Sequence, residues 1–154
     1  MAAVIRALRR ARAAESGAEL IEFAIALPIL LLVLTGILDF AIMFQRYQVV
    51  SNAAREGARV AILPDFTADD VKTRVKNYLS ASGLTAAAPD PTVTFSTMAL
   101  GAGAPTVNVV KVVVKYPHQF VFIGPAAALI GAGSMADITL AGAATMRTEA
   151  AAAP

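Results

Sequence analysis

The sequence contains no cysteine and only one histidine among its 154 residues. The absence of cysteine excludes disulfide bonds, thiolate chemistry and zinc sites built on cysteine. His118, the single histidine, lies between a proline and a glutamine, and we interpret it as a packed or solvated residue, not a ligand. The sequence has no Walker-type phosphate-binding motif, no HExxH and no GxSxG. We therefore expect no cofactor, no metal and no enzymatic activity.

Charged residues are also few, at 16% of the chain, and the basic ones are unevenly placed. Four of the thirteen lysines and arginines lie before Gly17, namely Arg6, Arg9, Arg10 and Arg12. From Ala18 onward the chain has nine basic and ten acidic residues. The basicity thus belongs to a short N-terminal leader. Since no basic patch with interleaved aromatic residues follows it, we expect no nucleic-acid partner.

What the sequence has in abundance is apolar surface, with 57% hydrophobic residues and a mean hydropathy of +0.65. Residues 23–44 contain one charge, Asp39. As a helix this stretch is about 33 Å long, enough to cross a hydrocarbon core of about 30 Å. Glu22 and Asp39 then lie near opposite boundaries of the bilayer. We expect one transmembrane helix, with a bend at Pro28 because proline removes a backbone hydrogen bond.

The leader arginines place the N-terminus in the cytoplasm by the positive-inside rule, so the chain after about residue 45 lies outside. A cleaved secretory signal peptide is the first alternative. Its apolar region has typically about 7 to 15 residues and ends at a small-residue cleavage site. Here the apolar run continues into DFAIMFQRYQ without such a site. We therefore expect the apolar segment to be retained.

Glu22 stands at the edge of the apolar run and has two interpretations. In the first it is a boundary carboxylate favoured by the positive end of the helix dipole. In the second it has a partner and a function, as ionisable residues within membranes usually do. A cut after Gly17 would place the new amine of Ala18 four residues before Glu22, which is one helical turn. These residues alone leave both interpretations open.

The segment that starts at Gly17 resembles a known family. Gly17, then AELI, Glu22 and Phe23, opening a long apolar helix behind an arginine-rich leader, are similar to the processing motif of type IV pilin-like proteins. The longer pattern resembles the TadE-like proteins of tight-adherence (Tad) pilus systems: GAELIEFAIALPILLLVLTGILDF, then NAAREGAR and a terminal ATMRTE. Phe23 departs from the tyrosine common in the small major pilins of these systems.

The resemblance implies a pseudopilin-like structural component in the assembly of a Tad (Flp-type) pilus or secretion complex. A prepilin peptidase would cut between Gly17 and Ala18, and Glu22 and Phe23 would belong to the processing and subunit-assembly motif. The other implied partners are pilins and pseudopilins of the same system, the inner-membrane assembly platform and the membrane. The implied location is the bacterial inner membrane, single-pass, with the C-terminal domain periplasmic or extracellular. The alternative is an uncleaved, membrane-anchored extracytoplasmic binding module.

The remaining pattern predicts an α+β fold in three parts: a basic cytoplasmic leader (1–17), a transmembrane and continuing N-terminal helix (18–63) and an extracytoplasmic domain (64–154). Beyond the membrane a helical stripe of mostly small residues continues to Pro64. This stripe either forms a contact between subunits or packs against the rest of the domain in the same chain. The stripe consists of Val49, Val50, Ala53, Ala54, Gly57, Ala58, Ala61 and Ile62. Glu56 and Arg59 are predicted to form an ordinary surface pair.

A second helix is predicted from a capping box at residues 67–70 to about Ser80, ended by Ser82-Gly83. We expect the acids of this region to act as caps; they are Asp65, Asp69, Asp70 and Asp90. Three strands follow at residues 92–98, 107–116 and 138–146, with alternating apolar residues. They predict a small antiparallel sheet with one face on the helices and one in water.

Residues 120–136 carry no charge and fit this scheme less well. They could form a second membrane span. Gly124-Pro125 and three glycines favour a loop and a short helix with proline in its first turn. A third possibility is a surface patch that touches the bilayer or a partner.

Overall fold

The structure is a computed structural model that describes residues 2–84, 89–101, 103, 105–129, 131 and 137–149. For residues 2–16, 126, 127 and 129 the description is limited to the backbone. The elements are, in order, α1 (Ala2–Ala61), α2 (Ala68–Ala81), β1 (Thr92–Ala99), β2 (Thr106–Gln119), α3 (Ile123–Leu129) and β3 (Asp137–Arg147). This α+β layout confirms the predicted fold class.

Helix α1 is a single helix of 60 residues, about 90 Å long at about 1.5 Å per residue. It contains the leader, the apolar run and the small-residue stripe, and it ends at Ala61, just before Pro64. Pro28 lies inside it, and the bend expected there stays a prediction. Among the described residues, the part of α1 from Gly17 to Ala61 is the one helix long and apolar enough to cross a membrane, and its most apolar window is entirely unburied.

The distal part of α1 forms the core of the domain. Six residues of the small-residue stripe are buried: Val50, Ala53, Ala54, Gly57, Ala58 and Ala61. They pack with α2 and the sheet, which confirms the intramolecular interpretation of the stripe. Ile62 was expected in this face, but it is 38% exposed because α1 has already ended. At Gly57 an added Cβ would lie 2.6 Å from Val75 Cγ2, so α2 approaches closely only because this residue is glycine.

Helix α2 begins with the predicted capping box. The Thr67 hydroxyl accepts a hydrogen bond from the Asp70 N–H at 3.3 Å, and the Asp70 carboxylate accepts one from the Thr67 N–H at 2.9 Å. Its apolar face is buried and consists of Val71, Val75 and Leu79. Ser82 caps the C-terminus, and Gly83 follows in a left-handed conformation, as predicted.

The sheet is antiparallel in the order β1-β2-β3. The central strand β2 is longer than predicted, but its alternation holds: Val110, Val112, Val114 and Tyr116 are buried, whereas Lys111 and Lys115 are exposed. On the neighbouring strand β1, Val93 and Phe95 pack against the same core, as expected. The buried face lies on α1 and α2, so the sheet attaches directly to the distal part of α1.

Strand β3 crosses α1 with almost no space between the two backbones. A Cβ added at Gly142 would lie 2.8 Å from both Ser51 Cα and the Val50 carbonyl oxygen. Such distances are too short for any side chain, so glycine is required at this crossing.

Between β2 and β3 the chain forms α3, with Pro125 in its first turn. This confirms the predicted short helix over residues 123–129. Residue 130 and residues 132–136 of the uncharged stretch lie outside the described residues. Within the described part, no second helix is long enough to span a membrane.

Candidate functional site

The predicted processing segment lies on the free, proximal part of α1. The helix is continuous through this segment, with no break at Gly17. The segment contains Gly17, Ala18, Glu22 and Phe23. Phe23 is 59% exposed, and Ala18 and Glu22 are exposed as well. A Cβ added at Gly17 would meet nothing within 4 Å. No packing against the described residues therefore accounts for the glycine.

Glu22 has no hydrogen-bond or ion-pair partner among the residues that the structure describes. The nearby Glu19 is also exposed, so the start of the apolar run presents two carboxylates to its surroundings.

One turn beyond Glu22, the surface of α1 has a shallow, open apolar groove of about 380 Å³. It is lined by Phe23, Ala26, Leu27, Ile29, Leu30 and Val33. A groove between apolar side chains suits the packing of another apolar helix or of lipid chains.

At the other end of the apolar run, Asp39 has partners that the sequence did not reveal. Its side chain is 1% exposed. Oδ1 accepts hydrogen bonds from the N–H groups of Val121 and Phe122 at 2.9 and 3.1 Å, and Oδ2 accepts from Phe122 and Ile123 at 3.0 and 2.7 Å. These groups precede and open α3, so Asp39 caps α3 from a different helix. The sequence had indicated only that Asp39 lies near a membrane boundary.

Two turns beyond Asp39, Arg46 approaches the single histidine. Arg46 Nη1 lies 3.1 Å from His118 Nδ1. His118 is 1% exposed and packs edge-on against Phe120, with ring centroids 5.2 Å apart. Burial, and then the Arg46 charge, lower the pKa of His118, while Asp39 acts in the opposite direction. The histidine is a packed residue, as predicted.

The polar face of distal α1 forms ordinary ion pairs. Glu56 and Arg59 lie 3.8 Å apart, which confirms the predicted pair. A closer partner comes from α2, where Arg74 donates to Glu56 Oε1 at 2.7 and 3.1 Å. No pattern in the sequence indicates this contact, because the two residues lie on different helices.

The acids expected to act as caps fall into three groups. Asp70 caps α2, as expected. Asp69 and Asp90 instead form ion pairs with Lys72 at 2.8 Å and with Lys76 at 2.6 Å, so the capping prediction was wrong for them. Asp65 lies in the turn after α1 with a φ of 68° and is no helix cap. Among the described residues, no three histidine or acidic side chains are grouped to hold a metal ion.

The fold fits the class of single-pass membrane proteins, because the chain has one long apolar helix near its N-terminus. A small α+β domain is built on the distal part of that helix. Residues 17–59 match the family model of TadE-like proteins. This match confirms the resemblance to TadE-like proteins noted in the sequence. The family is a structural, pilus-associated one. The match begins at Gly17 and ends within α1, before α2 and the sheet. Comparison with curated proteins and with solved structures gave no match.

Proposed function

We propose that this chain is a pseudopilin-like structural component in the assembly of a Tad (Flp-type) pilus or secretion complex. Helix α1 crosses the bacterial inner membrane with the leader in the cytoplasm, and the α+β domain lies on the periplasmic or extracellular side. A prepilin peptidase removes residues 1–17. The observation that carries this proposal is the TadE-like match that starts at Gly17 and includes Glu22.

The surroundings of Gly17 support processing at this position. Glycine inside a helix costs about 1 kcal/mol relative to alanine. At Gly57, in the same helix, tight packing compensates for this cost, because a Cβ would collide with a neighbouring side chain. At Gly17 there is open space around the added Cβ. Recognition by an enzyme that needs a small residue before the scissile bond accounts for a glycine that the fold does not need.

The surroundings of Glu22 support its use in subunit assembly. After cleavage, the Ala18 amine lies one helical turn before Glu22. In an assembly of parallel α1 helices, the Glu22 carboxylate neutralises the amine of an adjacent subunit. Desolvation offsets much of the energy of such a pair, so its main effect is to set the register of the helices. The apolar groove beyond it provides the packing surface for the neighbour.

The proposed partners follow from this arrangement. The prepilin peptidase acts on residues 17 and 18, other pilins and pseudopilins of the system pack on the apolar part of α1, and the inner-membrane assembly platform draws the helix out of the bilayer. The domain then provides a cap or partner surface at the outer end of the helix.

Co-expression with a cognate prepilin peptidase tests the proposal. We expect the intact mass of the membrane-extracted protein to correspond to a chain that begins at Ala18. Gly17→Val should remain full-length. Ala24→Val places the same side chain on an exposed position of the same helix and should be processed like the wild type.

A full-length wild-type chain, obtained with a peptidase that cleaves its own major pilin in the same cells, would contradict the proposal. The uncleaved, membrane-anchored binding module would then be the better description.

A further inference from the structure

The chain after β2 runs along α1 toward the apolar part of that helix. His118 contacts Arg46, residues 121–123 bind Asp39, and Ile123 lies over Gly36, with its Cδ1 3.8 Å from an added Cβ. From Arg46 back to Gly36 the helix spans about 15 Å, which five residues can cover in an extended conformation. The chain therefore leaves the sheet and descends beside the helix.

This descent ends at a depth where hydrocarbon is expected. A helix needs about 20 residues to cross the hydrocarbon core. Counted from Phe23, that length ends three or four residues beyond Asp39. A charge at this depth is costly unless it faces protein or pairs with polar groups. Asp39 does so, because it is 1% exposed and accepts hydrogen bonds from three backbone N–H groups.

The same contact satisfies the backbone at the start of α3. The first N–H groups of a helix have no partner within that helix. Irregular backbone at membrane depth is tolerated only where such groups are satisfied by protein or by water in a cavity. The Asp39 carboxylate accepts hydrogen bonds from the N–H groups of residues 121–123. The carboxylate and these N–H groups therefore satisfy each other and require no water as a partner.

The side of this segment that faces away from α1 is apolar. Val121 and Phe122 are 49% and 44% exposed, and residues 120–129 contain no charged side chain. At the same depth α1 exposes Ile37 and Phe40, both 61%. The apolar surface of α1 thus continues onto Val121 and Phe122.

We propose that residues 120–129, the interfacial segment, insert into the leaflet next to the α+β domain, with Val121 and Phe122 in contact with lipid and Asp39 as the internal anchor. The proposal rests on α1 spanning the bilayer, which belongs to the proposed function, and does not depend on cleavage at Gly17. The domain is then held against the membrane by two elements, α1 and the interfacial segment. Movement of α1 out of the bilayer must also withdraw the interfacial segment from lipid.

Tryptophan fluorescence tests this directly, because the chain contains no tryptophan. The full chain with Phe122→Trp is reconstituted at low protein density in phosphatidylcholine vesicles that carry bromine on the acyl chains near the headgroup. We expect blue-shifted emission and loss of most of its intensity to bromine quenching. Phe40→Trp on α1 is the lipid-facing reference, and Phe66→Trp, in the exposed turn after α1, is the water-facing reference.

Quenching at Phe122→Trp comparable to that at Phe40→Trp, with Phe66→Trp unquenched, would support the proposal. If Phe40→Trp alone is quenched, α1 spans the bilayer but the interfacial segment is not in lipid, and the proposal fails. Blue-shifted, unquenched emission at Phe122→Trp means that protein covers the residue, such as a second copy of the chain, and also overturns it. Without quenching at Phe40→Trp, both the membrane span and the insertion of the interfacial segment are wrong.

Discussion

At the scale of single residues, three glycines of this chain have different reasons to be glycine. Gly142 lets β3 cross α1 backbone to backbone, and Gly57 lets α2 pack closely on α1. Gly17 has no neighbour within 4 Å of an added Cβ. The same substitution therefore separates two glycines that the packing requires from one that has open space around it.

We expect Gly142→Ala to destabilise the domain. The new methyl group would lie 2.8 Å from Ser51 Cα, so two backbones must move apart, and such overpacking costs typically about 1 to 3 kcal/mol. The measurement is the thermal midpoint of the full chain in detergent. Gly17→Ala is the matched control and should melt no lower than the wild type, because its methyl group meets open space. Equal midpoints for all three chains would show that β3 can shift away from α1 without cost.

The second prediction at this scale concerns Glu22. Glu22→Gln should insert normally, because a neutral amide is no costlier at a membrane boundary than a carboxylate. Association with other pilin subunits should weaken by about 1 to 2 kcal/mol, or roughly five- to thirty-fold, the typical worth of an interhelical polar contact in membranes. Crosslinked complexes of the wild type and the variant, at equal membrane levels, provide the measurement.

The combination with Gly17→Val identifies the partner of Glu22. If the carboxylate pairs with the amine that cleavage creates, the double variant should assemble no worse than Gly17→Val alone, by the logic of a double-mutant cycle. Additive losses would show that Glu22 acts independently of the new N-terminus, as a boundary carboxylate favoured by the helix dipole.

At the scale of elements, the ends of the helices show how much of this fold is locally encoded. The capping box of α2 was predictable because its two residues lie within one turn and each accepts a hydrogen bond from the other's N–H. The cap of α3 was not predictable, because its carboxylate comes from Asp39, more than eighty residues earlier in the chain. A short-range sequence pattern can show a cap between neighbouring residues, as in α2. It cannot show a cap from a distant residue, as in α3.

The cap of α2 should make the stability of the domain sensitive to acid. The Thr67 hydroxyl, and then the Thr67 N–H, lower the pKa of Asp70 by hydrogen bonding to its carboxylate. A lowered folded-state pKa means that the contribution is present above the unfolded value of about 3.9 and is lost as the pH falls through the folded-state value. Thermal midpoints between neutral pH and pH of about 2.5 should therefore drop more in the wild type than in Asp70→Asn.

Two further variants check this assignment. Thr67→Ala should cost about 1 kcal/mol at neutral pH, the typical value for loss of an N-cap. Asp69→Asn changes the adjacent carboxylate, which pairs with Lys72, and leaves the box intact. It should keep the acid-sensitive step of the wild type. Loss of the step in Asp69→Asn and its retention in Asp70→Asn would contradict the assignment.

At the scale of the whole molecule, the chain divides into a free apolar half of α1 and a domain built around the other half. The core uses Val50, Ala53, Ala54 and Ala58 of α1, so the domain is packed directly on the helix that contains the apolar run. This packing fits the proposed function, in which α1 is drawn out of the bilayer together with the domain.

The orientation of the molecule gives the last prediction. Because four arginines precede Gly17 and only Arg46 lies close behind the apolar run, the domain should lie outside the cytoplasm. A reporter that is active only in the periplasm, fused after Pro154, should be active, and a cytoplasm-dependent reporter at the same point should be inactive. The reverse pattern would mean that α1 is inverted or that the chain crosses the membrane twice.

The sequence by itself determined the features that depend on neighbours along the chain. These are the apolar length of α1, the capping box of α2 and the alternation of β2, since each depends on residues that are close together in the sequence. The motif at Gly17 and Glu22 was noticed through resemblance to a family. Only the tertiary structure decided which distant groups meet: Asp39 with the start of α3, Arg46 with His118, Glu56 with Arg74, and Gly142 with the backbone of α1. Such contacts depend on how the elements pack, and periodicity shows which face of an element is buried but not what it is buried against.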